Sequence, residues 1–209
     1  MINGLSNYDM TLYEIKPKFQ DLLRPLVRIL FIRGVTANQV TVIAAIFSVM
    51  LGAGLMLYPD PGLYILLPVF LFIRMALNAI DGMLAREFNQ KSLLGAVLNE
   101  IGDIIADAAL YLAFAFLAGV SPWLVFLVVL LSWLTEFCGV IAQTLTGIRN
   151  YRGPMGKSDR AFVLGSLGLF IALCPQHTSV ANIVFGVLAL LLAWTSINRC
   201  RSALEVTNA

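Results

Sequence analysis

Residues 93–118 read LLGAVLNEIGDIIADAALYLAFAFLA, an apolar stretch of 26 residues that carries three acids, Glu100, Asp103 and Asp107, and no cation. About 20 helical residues cross the ~30 Å hydrocarbon layer of a bilayer, so the stretch is long enough to span one. Asn99, Asp103 and Asp107 follow at four-residue steps, and on a helix that spacing stacks them along one face. Each intramembrane charge costs at least ~2.5–3.5 kcal/mol on insertion scales, so acids in such a stripe are protonated, reach a wet cavity or bind cations.

Five further apolar stretches, at 38–57, 62–85, 122–145, 158–174 and 179–197, flank this one. The fifth in chain order, 158–174, is the shortest and must tilt or borrow polar flanks. The chain has 209 residues, 59% hydrophobic and 12% charged, outside the range of water-soluble domains. The expected fold is therefore all-α: a polytopic membrane protein of six transmembrane helices. A net charge of +2 is too small to imply a nucleic-acid partner, and the placement of the cations carries the information instead. Lys16, Lys18, Arg24, Arg28 and Arg33 precede the first stretch. Arg86 and Lys91 follow the second, Arg149, Arg152, Lys157 and Arg160 lie between the fourth and fifth, and Arg199 and Arg201 follow the sixth. The other three loops, at 58–61, 119–122 and 175–179, hold no Lys or Arg. Both termini and the two basic loops are therefore expected on the cytoplasmic side.

The first 35 residues contain no cleavable signal pattern. Leu12 to Ile32 mixes apolar and basic residues and reads as an amphipathic juxtamembrane helix, with Pro17 and Pro25 expected to interrupt any long run. This divides the chain into an interfacial segment at 1–35, a transmembrane domain at 36–198 and a cytoplasmic tail at 199–209. Cys138, Cys174 and Cys200 fall in a span, an outer loop and the tail, so no disulfide is expected among them. His177 sits in a loop opposite the basic ones and reads as neither ligand nor base.

Within the proposed spans, leaving Asp159 and Arg160 at the entry of the fifth with the preceding loop, one cation, Arg74, stands against five acids, Asp81, Glu100, Asp103, Asp107 and Glu136. Asn78 and Asp81, three residues apart near the cytoplasmic end of the second stretch, share a face and a depth with the stripe on the third. Carboxylate and amide oxygens from two helices are what hard divalent ions require where phosphate completes the shell. A metal and phosphate site is the reading; interhelical hydrogen bonding alone is the alternative.

The run Asn78-Ala-Ile-Asp81-Gly82-Met-Leu-Ala85-Arg86, followed by Gly95, Asn99 and Asp103, resembles the signature of the CDP-alcohol phosphotransferases. Thr36-Ala-Asn38-Gln-Val-Thr41 is similar to that family's opening of its first span. The resemblance implies displacement of CMP from a CDP-linked donor, commonly CDP-diacylglycerol, by an alcohol hydroxyl, with Mg²⁺ or Mn²⁺, as one or two ions. Carried over, Asn78, Asp81, Asn99 and Asp103 are metal ligands. The donor is bound by Asn38, Thr41, Asn78, Asp81, Gly82, Ala85, Arg86 and Gly95, and Asp103 is the general base. The first and third family acids are Asn78 and Asn99 here, which removes two formal charges. Glu100 and Asp107 are the acids available to compensate, and pairing with Arg74 is the alternative for each.

The basic loop from Arg149 to Arg160 is suited to an anion. By the resemblance, Arg149, Lys157 and Arg160 face the acceptor. The implied protein is a homodimeric phosphatidyltransferase of phospholipid biosynthesis. It is multi-pass in the bacterial inner membrane, with a cytoplasmic active site; its partners are membrane lipids, CDP-diacylglycerol and a small polar or phosphorylated alcohol. The alternatives are a non-catalytic or metal-impaired nucleotide- or lipid-binding relative, and a transferase using a soluble CDP-alcohol.

Overall fold

The computed structural model describes residues 10–147 and 149–207, with side chains described over 19–147 and 149–205. Seven α-helices follow in order: α1 Met10–Ile32, α2 Ala37–Leu57, α3 Leu66–Glu87, α4 Leu93–Leu112, α5 Pro122–Thr146, α6 Lys157–Leu173 and α7 Val180–Thr207. Short 3₁₀ turns at Pro61–Ile65, Ala113–Phe116 and Pro175–His177 complete the connections, and no strand occurs among the described residues. The all-helical expectation holds because a bilayer leaves no water for unpaired backbone groups.

Four helical stretches are long and apolar enough to cross a membrane: Ala37–Leu57, Pro61–Glu87, Pro122–Thr146 and Val180–Glu205. Two expected spans fall short on length and composition. The apolar run of α4 is broken by Glu100, Asp103 and Asp107, and α6 has 17 residues with Lys157, Asp159 and Arg160 in its first turn. Large apolar side chains point outward along the long helices, among them Met50 at 61%, Leu130 at 60% and Leu190 at 74% exposure. That surface suits lipid and not water.

The chain packs as two units, one comprising the described residues up to Ala45 with 73–102, the other 46–72 with 103–207. In the first, Leu23, Val27 and Leu30 project from one face of α1, at i, i+4 and i+7, onto Ala37, Val40, Ile80, Met83 and Leu84. Gly34, in the left-handed region at φ 78°, ends α1 in a Schellman turn, with Val35 N donating to Leu30 O and Gly34 N to Phe31 O. Thr36 and Gln39 then form a reciprocal capping box at the start of α2.

One expectation is corrected here. α1 runs unbroken through Pro17 and Pro25, although an interior proline costs about 3 kcal/mol. Pro25 lies on the exposed side, while Val27 is fully buried, Phe31 stacks 4.3 Å from Phe88 and Arg24 pairs with Glu87. Packing along one face outweighs the two missing N–H groups.

The second unit has the larger core. Tyr64 donates to Ala113 O at 2.6 Å, and Phe114 contacts both Tyr64 and Phe185. Gly165 and Gly168 let α6 approach the Tyr64–Leu71 segment; a methyl group at Gly168 would lie 3.0 Å from Tyr64 O. α5 buries Val125, Val128, Val129, Ser132, Thr135, Cys138, Gly139 and Ala142, a helical stripe. α7 continues as helix past Arg199 to Thr207.

Candidate active site

The donor-motif residues Asn38, Thr41, Asn78, Asp81, Gly82, Ala85, Arg86 and Gly95, with Asn99 and Glu100, all belong to the first unit. Asp81 is 6% exposed, and Thr41 Oγ1 lies 2.7 Å from its Oδ2 and 3.1 Å from Ala37 O. The start of α2 and the end of α3, forty positions apart, are thus joined at the two motif residues of opposite hydrogen-bonding character. Gly95 opens onto Asn38: a methyl group there would sit 2.6 Å from Asn38 Oδ1 and 3.0 Å from Ser92 Oγ, and Gly95 N donates to Ser92 Oγ. The Arg86 guanidinium folds back to within 3.0 Å of the position a methyl group would take on Gly82. Asn78, Ala85 and Asn99 are half-buried, and Arg86 is exposed.

Asp103, Asp107, Arg149, Lys157 and Arg160 belong to the second unit. Lys157, the first residue of α6, forms an ion pair with Asp103. Arg160, 1% exposed, donates to Asp107 Oδ2 at 3.2 Å and to Glu136 Oε1 at 3.1 Å. Asp107 therefore has Arg160 as a counter-ion. Arg149 donates to Glu136 Oε2 at 3.1 Å and lies 5.5 Å from the Tyr151 ring.

Two members of this cluster were not among the predicted site residues. Glu136 on α5 gathers three guanidinium groups, since Arg199 Nη1 also lies 3.7 Å from it. Arg199, assigned by sequence to the tail, is 2% exposed and donates to Thr135 O at 2.5 Å. The available signal was the polar spacing at the ends of two apolar stretches: Ser132, Thr135 and Gly139 on one helix, and Thr195, Arg199 and Ser202 on the other, lie within reach of one helical face each. Among the described residues the Nε atoms of Arg160 and Arg199 are buried without a hydrogen-bond partner. The cluster holds more cationic than anionic groups and has buried donors to spare, an arrangement that suits an anion.

Among the described residues no three His, Cys, Asp or Glu side chains group as a metal site. The predicted ligand set includes only two acids, Asp81 and Asp103, with Asn78 and Asn99 supplying amide oxygens, so an acid trio is not its signature. All four are hard oxygen donors, the chemistry that fits a divalent ion sharing its shell with phosphate and water.

The family described as CDP-alcohol phosphatidyltransferase matches residues 34–197. The inner membrane protein YnbA of Escherichia coli (strain K12) is 54% identical over 195 residues, 93% of this chain and 97% of that protein. The archaetidylinositol phosphate synthase of Pyrococcus horikoshii is 26% identical over 162 residues, covering 77% of this chain and 84% of the relative. Among solved structures, Mycobacterium tuberculosis phosphatidylinositol phosphate synthase (PgsA1) with CDP-DAG bound superposes with a TM-score of 0.73 at 20% identity, covering 86% of this chain and 92% of that one. The same enzyme in complex with manganese and citrate gives 0.73 at 19% identity, covering 86% and 88%. At these identities the likeness establishes a shared fold. With four helices able to cross a bilayer and a bacterial relative named for the inner membrane, the chain is a bacterial integral membrane protein.

Proposed function

This chain belongs to the CDP-alcohol phosphatidyltransferase family, a family of transferases, and we propose that it moves a phosphatidyl group from CDP-diacylglycerol to the hydroxyl of a small polar alcohol, releasing CMP. The supporting observation is the contact of Thr41 with Asp81, together with that of Asn38 with Gly95. These contacts gather two separate motif segments into one packed unit, as a shared ligand would require. That the M. tuberculosis synthase was crystallised with CDP-DAG supports the choice of donor.

In this reading Gly82 and Gly95 keep side chains away from the nucleotide, with Ala85 adding little bulk. Asn38 and Thr41 supply polar atoms beside it, and Arg86 pairs with a donor phosphate. Asn78, Asp81, Asn99 and Asp103 would hold Mg²⁺ or Mn²⁺, as one or two ions; bound metal neutralises and orients the diphosphate for in-line displacement. Asp103 takes the proton from the attacking hydroxyl, and Lys157 holds its carboxylate at the start of α6. Arg149, Lys157 and Arg160 receive an anionic group on the acceptor, which favours a phosphorylated alcohol. Glu100 and Asp107 are the acids that could compensate for Asn78 and Asn99, and Asp107 is engaged by Arg160. All six helices after α1 cross the bilayer in this scheme. α1 lies at the cytoplasmic interface, the site faces the cytoplasm, and the protein is a homodimer serving phospholipid biosynthesis.

Asn78 and Asn99 favour one competing reading, a nucleotide-binding relative without turnover, since an amide is a weaker metal ligand than a carboxylate. Incubation of the purified protein with radiolabelled CDP-diacylglycerol, Mg²⁺ or Mn²⁺ and a panel of alcohols decides between them. The transferase releases CMP only with both metal and alcohol present, loses this on chelation and regains it on metal addition. Saturable cytidine-nucleotide binding with no CMP release under any of these conditions refutes the proposal.

A further inference from the structure

Cys138 on α5 and Cys200 on α7 are 62 positions apart in the chain, yet their Sγ atoms lie 3.3 Å apart. This corrects the expectation that no two cysteines meet. α5 and α7 pack side by side, with Arg199 against Thr135 and Gly139, so a residue in the fourth apolar stretch faces one just past the sixth. Next to the thiols Arg199 ties α7 to α5, donating to Thr135 O at 2.5 Å, and Asn150 Nδ2, on the loop after α5, donates to Arg199 O at 3.0 Å. Cys138 is buried and Cys200 exposed, and all three cysteines are free thiols. The third, Cys174, caps the C-terminal end of α6. Neither member of the close pair is among the residues of the proposed transfer.

Paired thiols with one accessible member have a defined chemistry. We infer that Cys138 and Cys200 are a peroxide-sensitive dithiol that closes to a disulfide joining α5 to α7. The exposed Cys200 sulfur attacks one oxygen of a hydroperoxide and breaks its O–O bond; with hydrogen peroxide this gives a sulfenic acid and water. The Cys138 sulfur then displaces the sulfenic oxygen as a second water, losing its proton as the S–S bond forms. Two thiols are oxidised by two electrons and one peroxide is reduced to two waters. A disulfide of ~2.05 Å requires the two sulfurs to close further from the resting contact of 3.3 Å. The held helices favour this closure over further oxidation of Cys200, because the resolving thiol is already at contact distance. With the basic loops on the cytoplasmic side, as their charges predict, the pair rests as a dithiol and responds to oxidant. The link would sit beside Arg199 and two residues from Glu136, pinning the two helices that carry the guanidinium cluster.

The test uses the full chain in detergent micelles, treated with hydrogen peroxide, denatured, alkylated with N-ethylmaleimide and mapped by mass spectrometry. The expected product has lost two hydrogens, accepts one alkyl group where the untreated chain accepts three, and yields a tryptic species linking Cys138 to Cys200. Dithiothreitol reverses all three changes. Cys174→Ser should form the same link and go from two alkyl groups to none, whereas Cys138→Ser should accumulate sulfenic or higher oxides on Cys200. A trivalent arsenical, which needs two adjacent thiols, should be retained by Cys174→Ser and not by the Cys138→Ser/Cys174→Ser double variant. Full alkylation of Cys138 after peroxide overturns the inference, whether Cys200 is then found over-oxidised, joined to a second chain or untouched.

Discussion

Replacing Glu136 by Gln keeps the shape of the side chain and removes the charge on which Arg149, Arg160 and Arg199 converge. Two of those partners are 1% and 2% exposed, and Glu136 itself is 13% exposed, so water cannot take over the lost role. Breaking a buried ion pair costs about 3–5 kcal/mol, because the remaining charge stays desolvated. Here the remaining groups are three guanidinium ions facing one carboxylate, Asp107. Part of the cost is recovered by the Gln carbonyl, which still accepts hydrogen bonds, and an expected loss of about 3 kcal/mol follows, or roughly two orders of magnitude in the folding equilibrium. Glu87→Gln is the control. Its pair with Arg24 has side chains 37% and 36% exposed, where water screens the charges and the loss should be small. Trp123, Trp133 and Trp194 all lie in the second unit with Glu136, so tryptophan fluorescence during SDS titration from bicelles reads its unfolding. Interhelical hydrogen bonds in membrane proteins average only about 0.6 kcal/mol, because the membrane-embedded unfolded state finds other partners. A Glu136→Gln loss at or below that figure would show that the cluster is solvated or re-paired, and the reasoning would fail.

Other outcomes follow from single contacts. Gly52→Ala places a methyl group 2.3 Å from Ala109 O, a backbone atom that cannot yield, whereas Gly54→Ala meets nothing within 4 Å. The first should lower stability by about 1–3 kcal/mol in the same SDS titration, and the second should be neutral or gain up to about 1 kcal/mol of helix propensity. Asp103→Asn should reduce alcohol-dependent CMP release by about 10²–10⁴-fold while cytidine-nucleotide binding, followed by calorimetry, persists; unchanged turnover would remove Asp103 from the chemistry. Thr41→Val withdraws the hydroxyl 2.7 Å from Asp81, and should weaken Mn²⁺ binding, read by electron paramagnetic resonance, about fivefold to tenfold for a lost hydrogen bond of about 1 kcal/mol. Equal Mn²⁺ affinity in the two proteins would separate that contact from metal binding.

The sequence alone determined the membrane character, the all-helical architecture and the helix starts to within a few residues, because the hydrocarbon requirement acts on each stretch of about 20 residues independently of the others; the ends of α4, at Leu112 and not 118, and of α7, at Thr207 and not 197, lay outside that reach. Local spacing likewise marked Asn78, Asp81, Asn99 and Asp103, and the family resemblance marked Asn38 and Thr41, before any contact was visible. Whatever depends on two distant segments meeting required the tertiary structure. The partners of Glu136 come from α6, α7 and the loop between α5 and α6, and no periodicity within one helix can name the cation on another. The same holds for Cys138 and Cys200, which apolar spacing assigned to separate environments. It holds for α1 too, where a local rule about proline met a packed face carrying Val27 and was overridden. Hydrophobic period reports which side of a helix is turned inward, and only the packed chain decides what that side touches.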